Sequence, residues 1–191
     1  MVAITAFAYP FLATPHKLGL RIQPLKPTLN GEAYLTGGQI LDQGVQINLT
    51  ADYRAITWLR NNIVGAPTLA ETPTTIYRWG GRISVYTGLP SIIAWDWHAK
   101  QQHWGYAHEV EARFNDAREL FTTRNVQRAE TLLSTLGVEL IYVGELERAL
   151  YPAEALAKFD RMKAMGVHAI YRDGTTVIYR LSKNFQLPPV G

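Results

Sequence analysis

Between Gly137 and Gly144 the chain reads VELIYV, an apolar, β-branched run with a glycine at either end. It is the clearest strand in the sequence, and what surrounds it decides the fold class. Upstream, LTADYRAITWLRNNIVG offers Thr50 as N-cap, Asp52 in the first turn, Tyr53, Ile56, Leu59 and Ile63 at helical spacing, and Gly65 as a stop. APTLAE, bounded by Pro67 and Pro73, reads as a buried strand ending at Glu71, GGRISVYTG as a brief helix stopping at Gly88, and SIIAW as the next buried strand. HEVEARFNDARELFTT is a polar, exposed helix, and NVQRAETLLSTLG is a second, capped by Asn125. Beyond the VELIYV strand, PAEALAKFDRMKAM is a helix with Pro152 in its first turn, and Asp173-Gly174 between two β-rich runs signals a hairpin. This alternation predicts an α/β domain with a mainly parallel central sheet flanked by helices and a C-terminal antiparallel hairpin at the edge.

The totals support a folded domain. Of 191 residues, 47% are hydrophobic and only 18% charged, enough apolar material to bury a core. The net charge of +3 is spread over single Lys and Arg residues without basic runs, so no nucleic-acid partner is expected. The absence of cysteine excludes disulfides, thiolate nucleophiles and cysteine-bound zinc. No apolar run reaches the roughly 18 residues that a membrane-spanning helix needs. The opening VAITAFAYPFLA lacks the basic start and A-x-A site of a signal peptide, and reads as a buried strand or helix or as the outer end of a longer membrane helix. From Thr14 to Asn48 prolines and glycines recur without sustained period, which predicts an extended, irregular segment wrapping the following domain.

Chemistry concentrates in YRWGGRISVYTGLPSIIAWDWHAKQQHW, Tyr77 to Trp104, which holds four of the five tryptophans. No dinucleotide fingerprint, P-loop or nucleophile elbow is present, and the glycine pair of WGGR reads as a tight turn. His98 and His103 are five apart, a spacing that does not share one helix face, so neither metal nor cofactor is expected. Glu71 and Asp96 are the one carboxylate pair that the expected sheet order would bring together. The plainer reading has Glu71 capping a loop and Asp96 paired with Arg78 or Arg82. Trp95, Trp97 and Trp104 present broad apolar faces with one N–H donor, suited to a ligand apolar on one side and hydroxylated at its edge. Glu71 and Trp95 to His98 should sit at the rim beyond the carboxyl ends of the strands, where ligands of such sheets bind.

That stretch, together with VELIYVGELERALYPAEALAKF and the final VIYRL, resembles the C-terminal tail of a family of large multi-pass bacterial and archaeal membrane proteins often labelled YYY membrane proteins. The resemblance covers roughly Asp52 to Leu181. It implies a parent with many transmembrane helices, similar to GT-C glycosyltransferases, which use lipid-linked sugar donors and keep their catalytic acids in loops between membrane helices. It also implies an extracytoplasmic domain whose partners are the transmembrane part of its own parent chain and a glycan or peptide acceptor. The W-W-D acceptor motif of related oligosaccharyltransferases is matched by Trp95-Asp96-Trp97 only in composition, and its role is not carried over. The implied organisation is a membrane-helix stub at 1–15, an extended linker at 16–49, the α/β domain at 50–183 and a tail at 184–191. The expectation is a domain without activity alone, whose binding surface gathers Arg78, Arg82, Trp95, Asp96, Trp97, His98 and Gln102. Two rivals remain: a small stand-alone hydrolase or transferase using Glu71, Asp96 and His98, and a purely structural interaction module.

Overall fold

The structure is a computed structural model, and it describes residues 11–16 and 28–182. The expected stub, the first part of the linker and the tail therefore lie largely outside the described residues. The strand predicted from VELIYV is β4, Leu140–Val143, with every residue buried. Its side chains alternate between two cores: Ile141 and Val143 enter one, Leu140 and Tyr142 the other. The same alternation places Leu69 and Ala70 of β3 (Leu69–Ala70), and Ile178 and Val177 of β6 (Thr176–Leu181), on opposite faces. A strand with two buried faces reads as a continuous apolar run, which is why this one is so legible.

The sheet runs β3-β4-β6-β5, with β5 spanning Val167–Asp173. Only β3 and β4 are parallel, in the register Leu69↔Leu140; β6 runs antiparallel to both β4 and β5. The expected mainly parallel sheet is thus corrected to a mixed one. The hairpin does not merely append an edge, because β6 takes the inner place beside β4 and leaves β5 outside. SIIAW, expected as a parallel strand, makes only two isolated parallel bridges, Leu69↔Ser91 and Thr74↔Trp95. Between them the ladder is interrupted, since the Thr72 N–H donates to Glu147 instead (3.1 Å) and Pro73 has no N–H to give.

One face of the sheet is covered by α1 (Leu49–Asn62) and α2 (Arg82–Thr87), the other by the long helices that follow. Asn48, not Thr50, caps α1, its side chain accepting from the Thr50 N–H at 2.9 Å. Gly88, at φ 75°, closes α2 as expected. The helix α3 (Asp96–Gln102), for which the sequence carries no clear periodic signal, is followed by a 3₁₀ turn at Trp104–Tyr106 and by α4 (Ala107–Thr122) and α5 (Val126–Thr135). Phe114, Ala117, Leu120 and Phe121 of α4 are buried, so that helix is amphipathic rather than exposed. After β4 come α6 (Glu145–Leu150), α7 (Ala153–Leu156) and α8 (Lys158–Arg161), with a 3₁₀ turn at Met162–Met165. The helix expected from Pro152 onward is therefore broken into short pieces.

Ahead of α1, the supposedly irregular segment contains a regular hairpin, β1 (Gln39–Asp42) and β2 (Val45–Asn48). Its two turn residues, Gln43 and Gly44, have φ of 50° and 80°, the primed turn that suits a twisted two-residue hairpin. Gln-Gly is a weaker signal for that turn than Asn-Gly, so the local sequence does not announce the hairpin. Leu35 and Ile47 share a buried cluster with Leu49, Ala55, Ile56 and Leu59 of α1, which anchors the hairpin to the domain.

Candidate functional site

The tryptophan-rich stretch divides into an inner and an outer part. Loop 72–81 leaves β3, passes Trp79 and the glycine pair, and turns into α2. Both glycines are required by close approach. A Cβ on Gly80 would lie 2.6 Å from the Thr72 carbonyl oxygen, and one on Gly81, at φ 77°, would lie 2.4 Å from the Ala94 Cβ. This packing fixes the loop beside residues 94 and 95, where Thr74 N–H donates to Ala94 O at 2.9 Å.

The inner part is a buried ion cluster. Arg82, 2% exposed, donates through Nε to Asp52 (2.5 Å) and through Nη1 and Nη2 to the two oxygens of Glu147 (3.1 and 2.9 Å). Asp52 also accepts from the Tyr142 hydroxyl (2.5 Å) and the Trp79 indole N–H (2.9 Å). Glu71 receives the amides of Ile83 and Ser84 (2.9 and 2.8 Å), capping α2, and its Oε2 lies 3.8 Å from Arg82. Burial opposes ionisation of Arg82, Glu71, Glu147 and Tyr142. For Glu147 the Arg82 guanidinium outweighs burial and holds the carboxyl below its usual range, and Arg82 is itself held firmly protonated by Asp52 and Glu147 against the same burial. For Glu71 burial prevails over Arg82 and the two amides, and its carboxyl is pushed up to about 7. One guanidinium thus faces three carboxylates in a site closed to solvent.

Arg82 is accordingly removed from the expected binding surface: its charge is spent on Asp52 and Glu147, and its side chain is out of reach of a ligand. Glu71 is equally inaccessible and committed to capping. Asp96 pairs with Lys100 one turn along α3 (3.3 Å), not with Arg78 or Arg82. Arg78 is half-exposed and lies 3.8 Å from the buried Asp42 carboxylate.

The outer part is open. Tyr77 packs tilted on Trp95 and T-shaped on His98, with ring centroids 5.4 Å apart for Tyr77 and Trp95 and 5.6 Å for Tyr77 and His98. The Tyr77 hydroxyl and His98 Nδ1 are hydrogen-bonded at 3.0 Å, and the Trp95 indole donates to the Arg78 carbonyl (3.2 Å). Behind His98 runs a groove of about 500 Å³ with an apolar floor that includes Ile92, Ile93 and Val110. His103, Glu109 and Arg113 stand on its rim with Trp95 and His98. The spacing of the two histidines on an ideal helix would separate them; α3 ends at Gln102, and the bend there lets both line one groove. Trp97 (55% exposed), Trp104 (87%) and Gln102 face solvent nearby. Of the seven expected residues, Trp95 and His98 line the groove, Asp96, Trp97 and Gln102 belong to the same helix-capping segment and α3, and Arg78 adjoins through its carbonyl. His103, Glu109 and Arg113 were not singled out as binding residues, because only the packing of α3 on α4 brings them there, assisted by the Lys100–Glu111 pair at 3.6 Å.

Among the described residues no group of three or more His, Asp or Glu side chains is arranged to hold a metal ion, and no helix is long and apolar enough to cross a membrane. No family model and no curated protein matches the sequence. Among solved structures the chain is similar to the crystal structure of the C-terminal globular domain of an oligosaccharyltransferase from Archaeoglobus fulgidus. That match has 14% identity and a TM-score of 0.42, over 68% of this chain and 95% of the other.

Proposed function

We propose that this chain is the extracytoplasmic C-terminal domain of a GT-C-like membrane glycosyltransferase, and that its Trp95–His98 groove recognises an acceptor glycan or peptide or docks on the membrane part of its parent. The reading rests on the sequence resemblance and is carried by one observation: an apolar groove rimmed by an indole, two imidazoles, a carboxylate and a guanidinium. Indole and imidazole faces pack against the apolar side of a sugar or aromatic residue, while the polar rim groups hydrogen-bond its edge.

The rival enzyme reading needs Glu71, Asp96 and His98 within mutual reach. Instead Glu71 caps α2, Asp96 pairs with Lys100 and His98 bonds Tyr77, each with a separate partner. A purely structural module would show an apolar patch without converging polar groups, which does not describe this groove.

Glycan-array binding of the wild type and of Trp95→Ala and Trp97→Ala separates the two uses. Saturable binding lost on truncating either indole supports acceptor recognition. Absence of glycan binding, with the purified domain instead pulled down by the membrane part of its parent and released by the same substitutions, supports docking. Indifference to both substitutions in both assays overturns the proposal.

A further inference from the structure

One helical turn beyond the groove, a second and smaller cleft lies past the carboxyl end of β3, enclosed by the β1–β2 turn, loop 73–75, α4 and the end of α6. Its volume is about 240 Å³, and its lining includes Gln43, Thr74, Thr75, Phe114, Arg118 and Tyr151. We propose that this cleft binds a small oxyanion, a phosphate or carboxylate group, held by Arg118 and Tyr151.

Arg118 is the available cation. The acids beside it on α4, Asp116 and Glu119, face away to Arg128 (3.8 and 2.6 Å). Among the described residues the Arg118 guanidinium pairs with no carboxylate, and its near neighbour is the Phe114 ring, 5.9 Å from Cζ to centroid. A guanidinium stacked on a ring keeps its N–H edge free, and that edge matches two oxygens of a carboxylate or phosphate. The buried carboxylate of Glu147, also near Tyr151, already accepts two hydrogen bonds from Arg82.

Tyr151 supplies a donor. Burial, reinforced by Glu147, pushes its phenol up to about 12, so it keeps its proton at neutral pH. The cleft is smaller than the roughly 300 Å³ of a drug-sized site, so the ligand is a small anion or the anionic end of a larger molecule. Its position beyond a parallel strand of the sheet is where open α/β folds take ligands.

The inference does not depend on the reading of the aromatic groove. The test is an amide NMR titration of the 191-residue chain with inorganic phosphate and, separately, with sodium acetate, at fixed ionic strength. Saturable shifts at Thr74, Thr75, Phe114 to Arg118 and Tyr151 with either anion support the site, and the stronger anion identifies its chemistry. Arg118→Gln is expected to weaken binding by about ten-fold or more, Arg118→Lys by less, and Tyr151→Phe by several-fold, with spectra otherwise preserved. Unchanged titration of Arg118→Gln, or no localised shifts with either anion, overturns the proposal.

Discussion

Arg82 and Trp104 stand in one tryptophan-rich stretch of sequence and have opposite fates. Around Arg82 the chain withdraws four ionised or ionisable side chains and a tyrosine from water and satisfies nearly every donor. Around Trp104 it leaves an indole 87% exposed. The contrast teaches that polar and aromatic density in a sequence does not by itself mark a binding surface. A buried charge is tolerated only when its partners are built in, and the Arg82 cluster joins α1, loop 72–81, α2, β4 and α6 into one unit. The outer surface is carried by that unit.

Breaking the inner region should have the largest effect. Arg82→Met leaves Asp52 and Glu147 buried without their cation, and a loss of about 3–5 kcal/mol is expected in urea denaturation. Glu71 gives the cluster a pH dependence with a definite sign. Its carboxyl titrates near 7 in the fold against 4.5 when unperturbed. Between those values the folded state holds a proton that the unfolded chain has released, so the contribution is complete below 4.5 and is lost as pH rises through 7. The loss amounts to about 3 kcal/mol, and Glu71→Gln should flatten that part of the stability profile. Lys158, fully buried and pushed down to about 7 chiefly by burial, acts oppositely, raising stability as pH climbs from 7 toward 10.5. The difference between wild type and Glu71→Gln cancels its effect.

A pair of glycines sharpens the comparison between packed and open positions. Gly81 and Gly88 share left-handed φ values of 77° and 75°, but only Gly81 has Ala94 in the path of a Cβ. Gly81→Ala is expected to cost about 2–4 kcal/mol and Gly88→Ala about 1 kcal/mol by thermal denaturation. Smallest of all should be Trp104→Ala, within about 0.5 kcal/mol of wild type in urea denaturation. A large loss there would mean that the outer surface supports the fold after all.

Most elements that bury one or two clean faces were legible. VELIYV, the helices around Leu59 and Leu132, and the Asp173-Gly174 hairpin announce themselves because propensity, periodicity and turn chemistry agree within a short window. The β1–β2 hairpin and α3 did not, since a Gln-Gly turn and a tryptophan-rich helix of seven residues carry weak local signals. Within the candidate site, Trp95 and His98 line the groove, whereas Arg82, which looks the same on paper as Arg78, is buried.

The sequence alone determined that this chain is an α/β domain built around a continuous apolar strand, and it marked Tyr77 to Trp104 as the stretch that holds four of the five tryptophans. Tertiary structure decided that the sheet is mixed, that Arg82 belongs to the interior, and that His103, Glu109 and Arg113 join the groove. Strand order and charge pairing depend on partners distant in the chain: Asp52 and Glu147 lie 30 and 65 residues from Arg82. No local pattern records which of many carboxylates will meet a given guanidinium, because that choice is made by packing.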